Sequence, residues 1–124
     1  MTVLVDSWCW IEYFIDGKAA AAIEKYLNEG MVFISVINLA EVYKFAILNK
    51  SEADADKMVR WMLANSFVIP VDATIALNAA KFNAKQKLGL GDSLIYESAK
   101  AHKLKLVTGD PGFKGMRDVE YLGR

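Results

Sequence analysis

Cysteine and histidine are almost missing from this sequence, which has one of each, Cys9 and His102. A lone thiol excludes an intrachain disulfide, and one thiol with one imidazole leaves too few soft ligands for a structural zinc site. Any metal held by this chain is therefore oxygen-ligated. An excess of charge of either sign is missing too, since 15 Lys and Arg residues meet 15 Asp and Glu. No global basic field announces a nucleic-acid partner, so any such contact has to be local. The N-terminus shows no basic segment ahead of an apolar stretch and no small-residue cleavage site. No secretory signal is expected, and the chain reads as cytoplasmic. The longest apolar stretch, Met31 to Leu48, contains Asn38, Glu41 and Lys44. Charges at a bilayer centre cost about 2.5 to 3.5 kcal/mol each, so this stretch is expected to divide into a strand and a helix rather than span a membrane. No repeat, linker or low-complexity segment is visible.

What is present suits one domain over residues 1–124, a length sufficient to bury one core. Hydrophobic residues make up 54% of the chain and the mean hydropathy is +0.18. That is rich for a short soluble chain and points to apolar surface covered by a partner, either a second copy in a homodimer or a bound protein segment.

The pattern alternates strands with helices. Thr2 to Val5 is a short β-branched run suited to a strand buried on both faces. Ser7 to Ile15 and Lys18 to Asn28 read as two short helices, stopped by Asp16-Gly17 and Gly30. Met31 to Ser35 reads as a second strand, and Ser35 or Asn38 can start a helix reaching Asn49. Ser51 to Asn65 reads as an amphipathic helix with Met58, Trp61 and Met62 inward and Glu52, Asp54, Asp56 and Lys57 solvated. Phe67 to Val71 is a short strand interrupted by Pro70, which places it at an edge or marks a strand end. Asp72 can cap a helix from Ala73 to Lys87 whose apolar face includes Ile75, Leu77, Ala80 and Phe82. After the loop Leu88 to Gly91, a helix is expected from Asp92 to Lys103, then a strand Lys105 to Thr108 and a last one near Val119 to Leu122. Such alternation predicts a three-layer α/β/α sandwich around a mainly parallel sheet of four to five strands.

In parallel sheets a ligand site lies beyond the carboxyl ends of the strands. Asp6 follows the first strand, Asp110 follows Lys105 to Thr108, and Asp92 opens a helix at the same rim. Each could instead be a helix cap. Glu41 is harder to explain in that way. Its neighbours one turn away, Ile37, Phe45 and Leu48, are apolar, so it is expected to face inward, where a carboxylate needs a cation or donors. Lys44, at i+3, is the alternative partner. Two unit charges 4 Å apart repel by about 4 kcal/mol at an effective dielectric of 20. A hard divalent ion, Mg²⁺ or Mn²⁺, removes that penalty, and Asp6, Glu41, Asp92 and Asp110 are the expected metal ligands.

Asp6-Ser7 after a first strand, Glu41 in the following helix, Gly-Asp-Ser-Leu-Ile-Tyr-Glu-Ser-Ala around Asp92, and Leu106 to Phe113 around Asp110 together resemble the PIN-domain ribonucleases. The small stand-alone toxins of VapBC-type toxin–antitoxin pairs are especially similar, over nearly the whole chain. The resemblance implies hydrolysis of RNA by a metal-activated water with Asp6, Glu41, Asp92 and Asp110 as the acidic set. It implies Thr108 as the hydroxyl that orients a carboxylate or water, Ser7 and Asn38 as polar neighbours of the site that contact substrate, and an antitoxin protein as partner. Trp8 departs from the small polar residue usual two places after the first aspartate, and Gly109 from the polar or basic residue usual between Thr and Asp.

Lys44, Lys85, Lys87, Lys114 and Arg117 are candidate RNA contacts near the rim, Lys44 and Lys114 foremost. The group Trp8, Trp10, Tyr13 and Phe14 is expected in the core with some partner contact rather than as a base-stacking platform. A Rossmann reading fails because Gly89-Leu90-Gly91 has no preceding strand and no third glycine. A Ser-His-Asp reading fails because His102 lies near a helix C-terminus, away from the rim. Two other readings remain: a PIN-like module that binds RNA or protein without cutting, and a structure-specific DNA nuclease, which this chain lacks the helices to be.

Overall fold

The computed structural model describes residues 2–123. In chain order the elements are β1 (Val3–Val5), α1 (Ser7–Phe14), α2 (Ala20–Glu29), β2 (Val32–Ser35), α3 (Val36–Asn49), α4 (Glu52–Asn65), β3 (Phe67–Ile69), α5 (Ala73–Lys85), α6 (Leu90–Ala101), β4 (Lys105–Thr108) and β5 (Val119–Tyr121). A one-turn 3₁₀ helix, Pro111–Phe113, follows β4. The strands form one sheet in the order β3-β2-β1-β4-β5, and every neighbouring pair is parallel. The expected sandwich is therefore present with five strands, and β3 lies at the edge where Pro70 placed it.

The strand sequences explain the layers. Side chains alternate across a strand, so Val3 and Val5 enter one core with Val32, Ile34 and Val107. Leu4 enters the other core with Leu106. All three β1 residues are fully buried, as befits a central strand covered on both sides. The chain first moves outward, β1 to β2 to β3, then jumps back to β4 on the far side of β1. Right-handed crossovers put helices on opposite faces when that direction reverses. Accordingly Cys9, Trp10, Ile23, Val42 and Met62 from α1 to α4 share the first core, whereas Ile75, Ile95 and Ala99 from α5 and α6 share the second.

Three facings differ from the pattern read in sequence. On α5 the buried positions are Ile75 and Ala79, while Leu77 is 69% exposed and Ala80 also faces out. A single period from Ile75 carries the inner stripe through Ala79 to Phe82, and Leu77 falls off it. On α4 Asp56 is half-buried, because it accepts a hydrogen bond from the Tyr43 hydroxyl of α3 at 2.8 Å. On α3 the buried stripe is Asn38, Val42 and Ala46, not the one through Glu41. No helix among the described residues is long and apolar enough to cross a membrane.

Candidate active site

Aspartates at helix starts divide into two kinds here. Asp72 caps α5, accepting from the Ile75 amide at 2.8 Å, and Asp110 caps the 3₁₀ turn, accepting from the Gly112 amide at 2.9 Å. Asp6 occupies the N-cap position of α1 yet makes no side-chain capping bond. Asp92 is not a cap at all: α6 begins two residues before the expected start, with Gly89 as its N-cap. Ser93 holds that earlier start by donating to the Gly89 carbonyl from both its amide, at 2.9 Å, and its hydroxyl, at 2.8 Å. The carboxylates of Asp6 and Asp92 are thus left with no capping work.

Both open onto a cleft of about 400 Å³ at the carboxyl end of the sheet, lined by Asp6, Ser7, Trp8, Ile11, Glu41, Lys44, Phe45, Leu48, Asn49, Asp92 and Asp110. The reversal of strand order between β1 and β4 lies directly beneath it, where α/β sheets form crevices. All four acidic residues read from the sequence share this cleft. Glu41 is half-buried at its wall rather than in the core, since Phe45 and Leu48 of its stripe line the opening and Leu48 is 72% exposed, while Ile37 packs against the second core. Gly91 lets the first turn of α6 approach, as a Cβ there would lie 3.2 Å from a Glu41 carboxylate oxygen.

Hydrogen bonds fix two of the acids from below. The Thr108 hydroxyl donates to Asp6 Oδ2 at 2.7 Å and accepts from the Asp110 amide at 3.1 Å, so one side chain joins the ends of β1 and β4. Glu41 takes its bond from another helix: Ser7 Oγ donates to Glu41 Oε1 at 2.6 Å, and Asn38 Nδ2 donates to Ser7 Oγ at 2.8 Å. Asn38 Oδ1 in turn accepts from the Ser35 amide at 2.8 Å, completing the reciprocal cap at the start of α3. Both starting residues proposed for that helix are therefore used. Ser7 and Asn38, read in the sequence as candidate substrate contacts, are buried and bonded to one another.

Asp6 Oδ1 is buried with no hydrogen-bond partner. Leaving such an acceptor unpaired is costly, and the proton affinity shows it. Burial pushes the Asp6 carboxyl from 3.8 up to about 7, with the charges of Asp92 and Glu41 adding to the rise and the Thr108 bond opposing it. Burial also lifts Asp92 to about 6, helped by the charges of Asp110 and Glu41. Among the described residues no three His, Cys, Asp or Glu side chains are gathered closely enough to form a complete metal cluster. A donor set of carboxylates around one orphaned oxygen suits a hard divalent cation, which commonly takes one or two carboxylates and fills its shell with water.

The basic candidates scatter. Lys44 lines the cleft, whereas Lys114 lies over the Tyr121 ring, 5.7 Å from its centroid. Lys85 lines a separate and larger concavity of about 480 Å³ with Lys81, Glu97 and Lys100, and Arg117 a third beside Tyr96 and Asp118. Lys87 is exposed. His102 is the exposed C-cap of α6. The helical spacing of Glu41, Phe45 and Leu48 showed that they share a side, but that side, expected to face the core, forms with Ile11 an apolar wall of the cleft.

No curated protein matches the chain. Among solved structures, a toxin–antitoxin complex from Klebsiella pneumoniae is similar at 26% identity over 95% of each chain, with a TM-score of 0.77. A DNA-bound VapBC from Salmonella typhimurium shares the fold at 19% identity over 98% of each chain, TM-score 0.78. So does the VapC20 toxin of Mycobacterium tuberculosis, described as cleaving the sarcin–ricin loop, at 12% identity over 83% of this chain and 85% of that one, TM-score 0.70. The model of the PIN domain matches residues 3–119, from β1 to the first residue of β5 and across every acid of the cleft, so the chain belongs to the PIN domain family.

Proposed function

We propose that the chain is a metal-dependent ribonuclease, acting as the toxin of a toxin–antitoxin pair, with Asp6 and Asp92 as the principal carboxylates for Mg²⁺ or Mn²⁺ and Glu41 and Asp110 completing the acidic wall. The observation that supports this most is the buried, unpartnered Asp6 Oδ1 in a cleft where burial and like charge raise two carboxyls. A bound divalent ion supplies what four acids alone lack: it offsets their repulsion and the phosphate charge, and it makes water a stronger nucleophile.

The chain's own groups act by placement. Thr108 holds Asp6 Oδ2, which leaves Oδ1 as the carboxylate oxygen without a hydrogen bond. Ser7 and Asn38 hold Glu41. The Ser7 hydroxyl is buried and already bonded on both sides, so the reaction proceeds without a covalent serine intermediate. The antitoxin partner rests on the likeness to the Klebsiella pneumoniae complex, and a homodimer on the exposed Phe67 and Val68 of the edge strand β3.

Incubation of purified protein with labelled RNAs and Mn²⁺ tests the reading. Cleavage leaving 5′-phosphate and 3′-hydroxyl ends, abolished by EDTA and by Asp92→Asn, is expected. Mn²⁺ binding with no cleavage of varied RNAs would instead favour a non-catalytic binding module.

A further inference from the structure

The aromatic group near the N-terminus separates in the fold. Trp10, Tyr13, Phe14 and Trp61 pack on one another, with ring centroids 5.2 to 6.4 Å apart, and Trp10 is fully buried. Trp8 belongs to no aromatic pair among the described residues; it is half-buried, packing against the first core as expected while also lining the acidic cleft. Its ring lies against Gly109, where a Cβ would run into the six-membered ring. The two departures from the family pattern are therefore one feature, because the missing side chain at 109 is the space in which the indole of residue 8 rests.

We propose that Trp8, seated on Gly109, is a stacking platform for an unpaired base of single-stranded RNA next to the scissile phosphate, which a divalent ion bound by the acids would hold. This rests on the ribonuclease reading and names its substrate class. Electrostatics favours it. Four carboxylates and one lysine line the cleft, and the chain as a whole carries no net charge, so phosphate contacts supply little affinity. Binding must then come from bases, and a flat ring accepts any base that is not already paired and stacked. Ile11, Phe45 and Leu48 continue the apolar wall beside the ring. Gly109 sets the tilt of the platform, since any side chain there displaces the indole.

The test uses short single-stranded RNAs of mixed sequence with Mn²⁺. For a cleaved RNA, Trp8→Ala and Trp8→Leu are expected to raise KM about tenfold with little change in kcat. Trp8→Phe restores most of the loss, and Gly109→Ala shows the same KM defect without adding to Trp8→Ala. Leucine fills the space without offering a flat face, so it separates stacking from packing. An abasic nucleotide placed in turn on each side of the cut should cost the wild type about tenfold at one position and cost Trp8→Ala nothing further there. Unchanged KM in both Trp8→Ala and Trp8→Leu, or abasic penalties equal in wild type and variant at every position, overturns the proposal while leaving the nuclease standing. If no RNA is cut, polarisation binding of the same RNAs decides: Trp8-dependent affinity upholds the platform though the nuclease reading falls, and absent or Trp8-independent binding overturns both.

Discussion

Asp6 and Asp72 both stand at the start of a helix in an extended N-cap conformation, yet they do opposite things. Asp72 spends its carboxylate on the Ile75 amide and is exposed. Asp6 is 3% exposed, makes no capping bond and keeps one oxygen unpaired. The first arrangement stabilises a helix by about 1 kcal/mol. The second costs the fold, and a cost of that kind persists at sites where function needs it. The pair therefore separates an acid spent on capping from one left with an unpaired oxygen, a difference that residue type and position alone do not show.

The sharpest break is substitution of the second kind. Asp6→Asn and Asp92→Asn are each expected to lower RNA cleavage more than about a hundredfold while leaving the fold intact, as read by cleavage assay and thermal melting. The pH dependence carries the same contrast. Because the Asp6 carboxyl is raised from 3.8 to about 7, the folded protein binds its proton more tightly than the unfolded chain does. Its contribution to stability is full below about pH 4 and is lost as pH rises towards 7. Melts in EDTA should show wild type losing stability between about pH 4 and pH 7 relative to Asp6→Asn. Mn²⁺ should raise the melting temperature of wild type more at pH 8 than at pH 5, since ligands must be deprotonated. A wild-type curve parallel to that of Asp6→Asn would remove Asp6 from the functional class.

Weaker effects are expected one bond further out. Thr108→Ala removes the donor that fixes Asp6 Oδ2 and should cost cleavage about 10- to 100-fold, with Thr108→Ser recovering most of it. Asp110 stands between the classes, capping Gly112 while facing the cleft. Asp110→Asn retains the capping oxygen and loses the charge, so about a tenfold drop in cleavage at unchanged melting temperature marks a role beyond capping. At the other end, Asp72→Ala should cost about 1 kcal/mol of stability and leave cleavage unaltered. A cleavage defect in that variant would dissolve the comparison.

Much of the architecture was legible because each signal was local. The apolar runs at Val3–Val5 and Lys105–Thr108 mark central strands, and Pro70 marks an edge. The acids too were legible, since strand ends in a parallel sheet face one rim. What escaped was set by competition or by distance. Asp92 looked like the start of α6 because Asp is a favoured N-cap, but Ser93 gives Gly89 two bonds and moves the start back. Glu41 was read as core-facing from its apolar neighbours, of which Phe45 and Leu48 line a cleft instead; a helical stripe shows that residues share a side, not what that side meets. The link from Asn38 through Ser7 to Glu41 joins residues 31 and 34 positions apart, and the seat of Trp8 on Gly109 joins helix α1 to the loop after β4, which no periodicity connects.

The Thr108 bond to Asp6 spans 102 positions in the chain. Asp6 leaves the ribosome early, but its partner strand β4 and the hydroxyl that orients it emerge only after every helix has been made. Until then β1 lacks its neighbour on one side, and the acid pocket has no floor. A chain interrupted before residue 108 therefore carries the first aspartate of the site without the means to aim it. Long-range closure of this sort is slow, and it places the birth of the cleft among the last events of synthesis and folding.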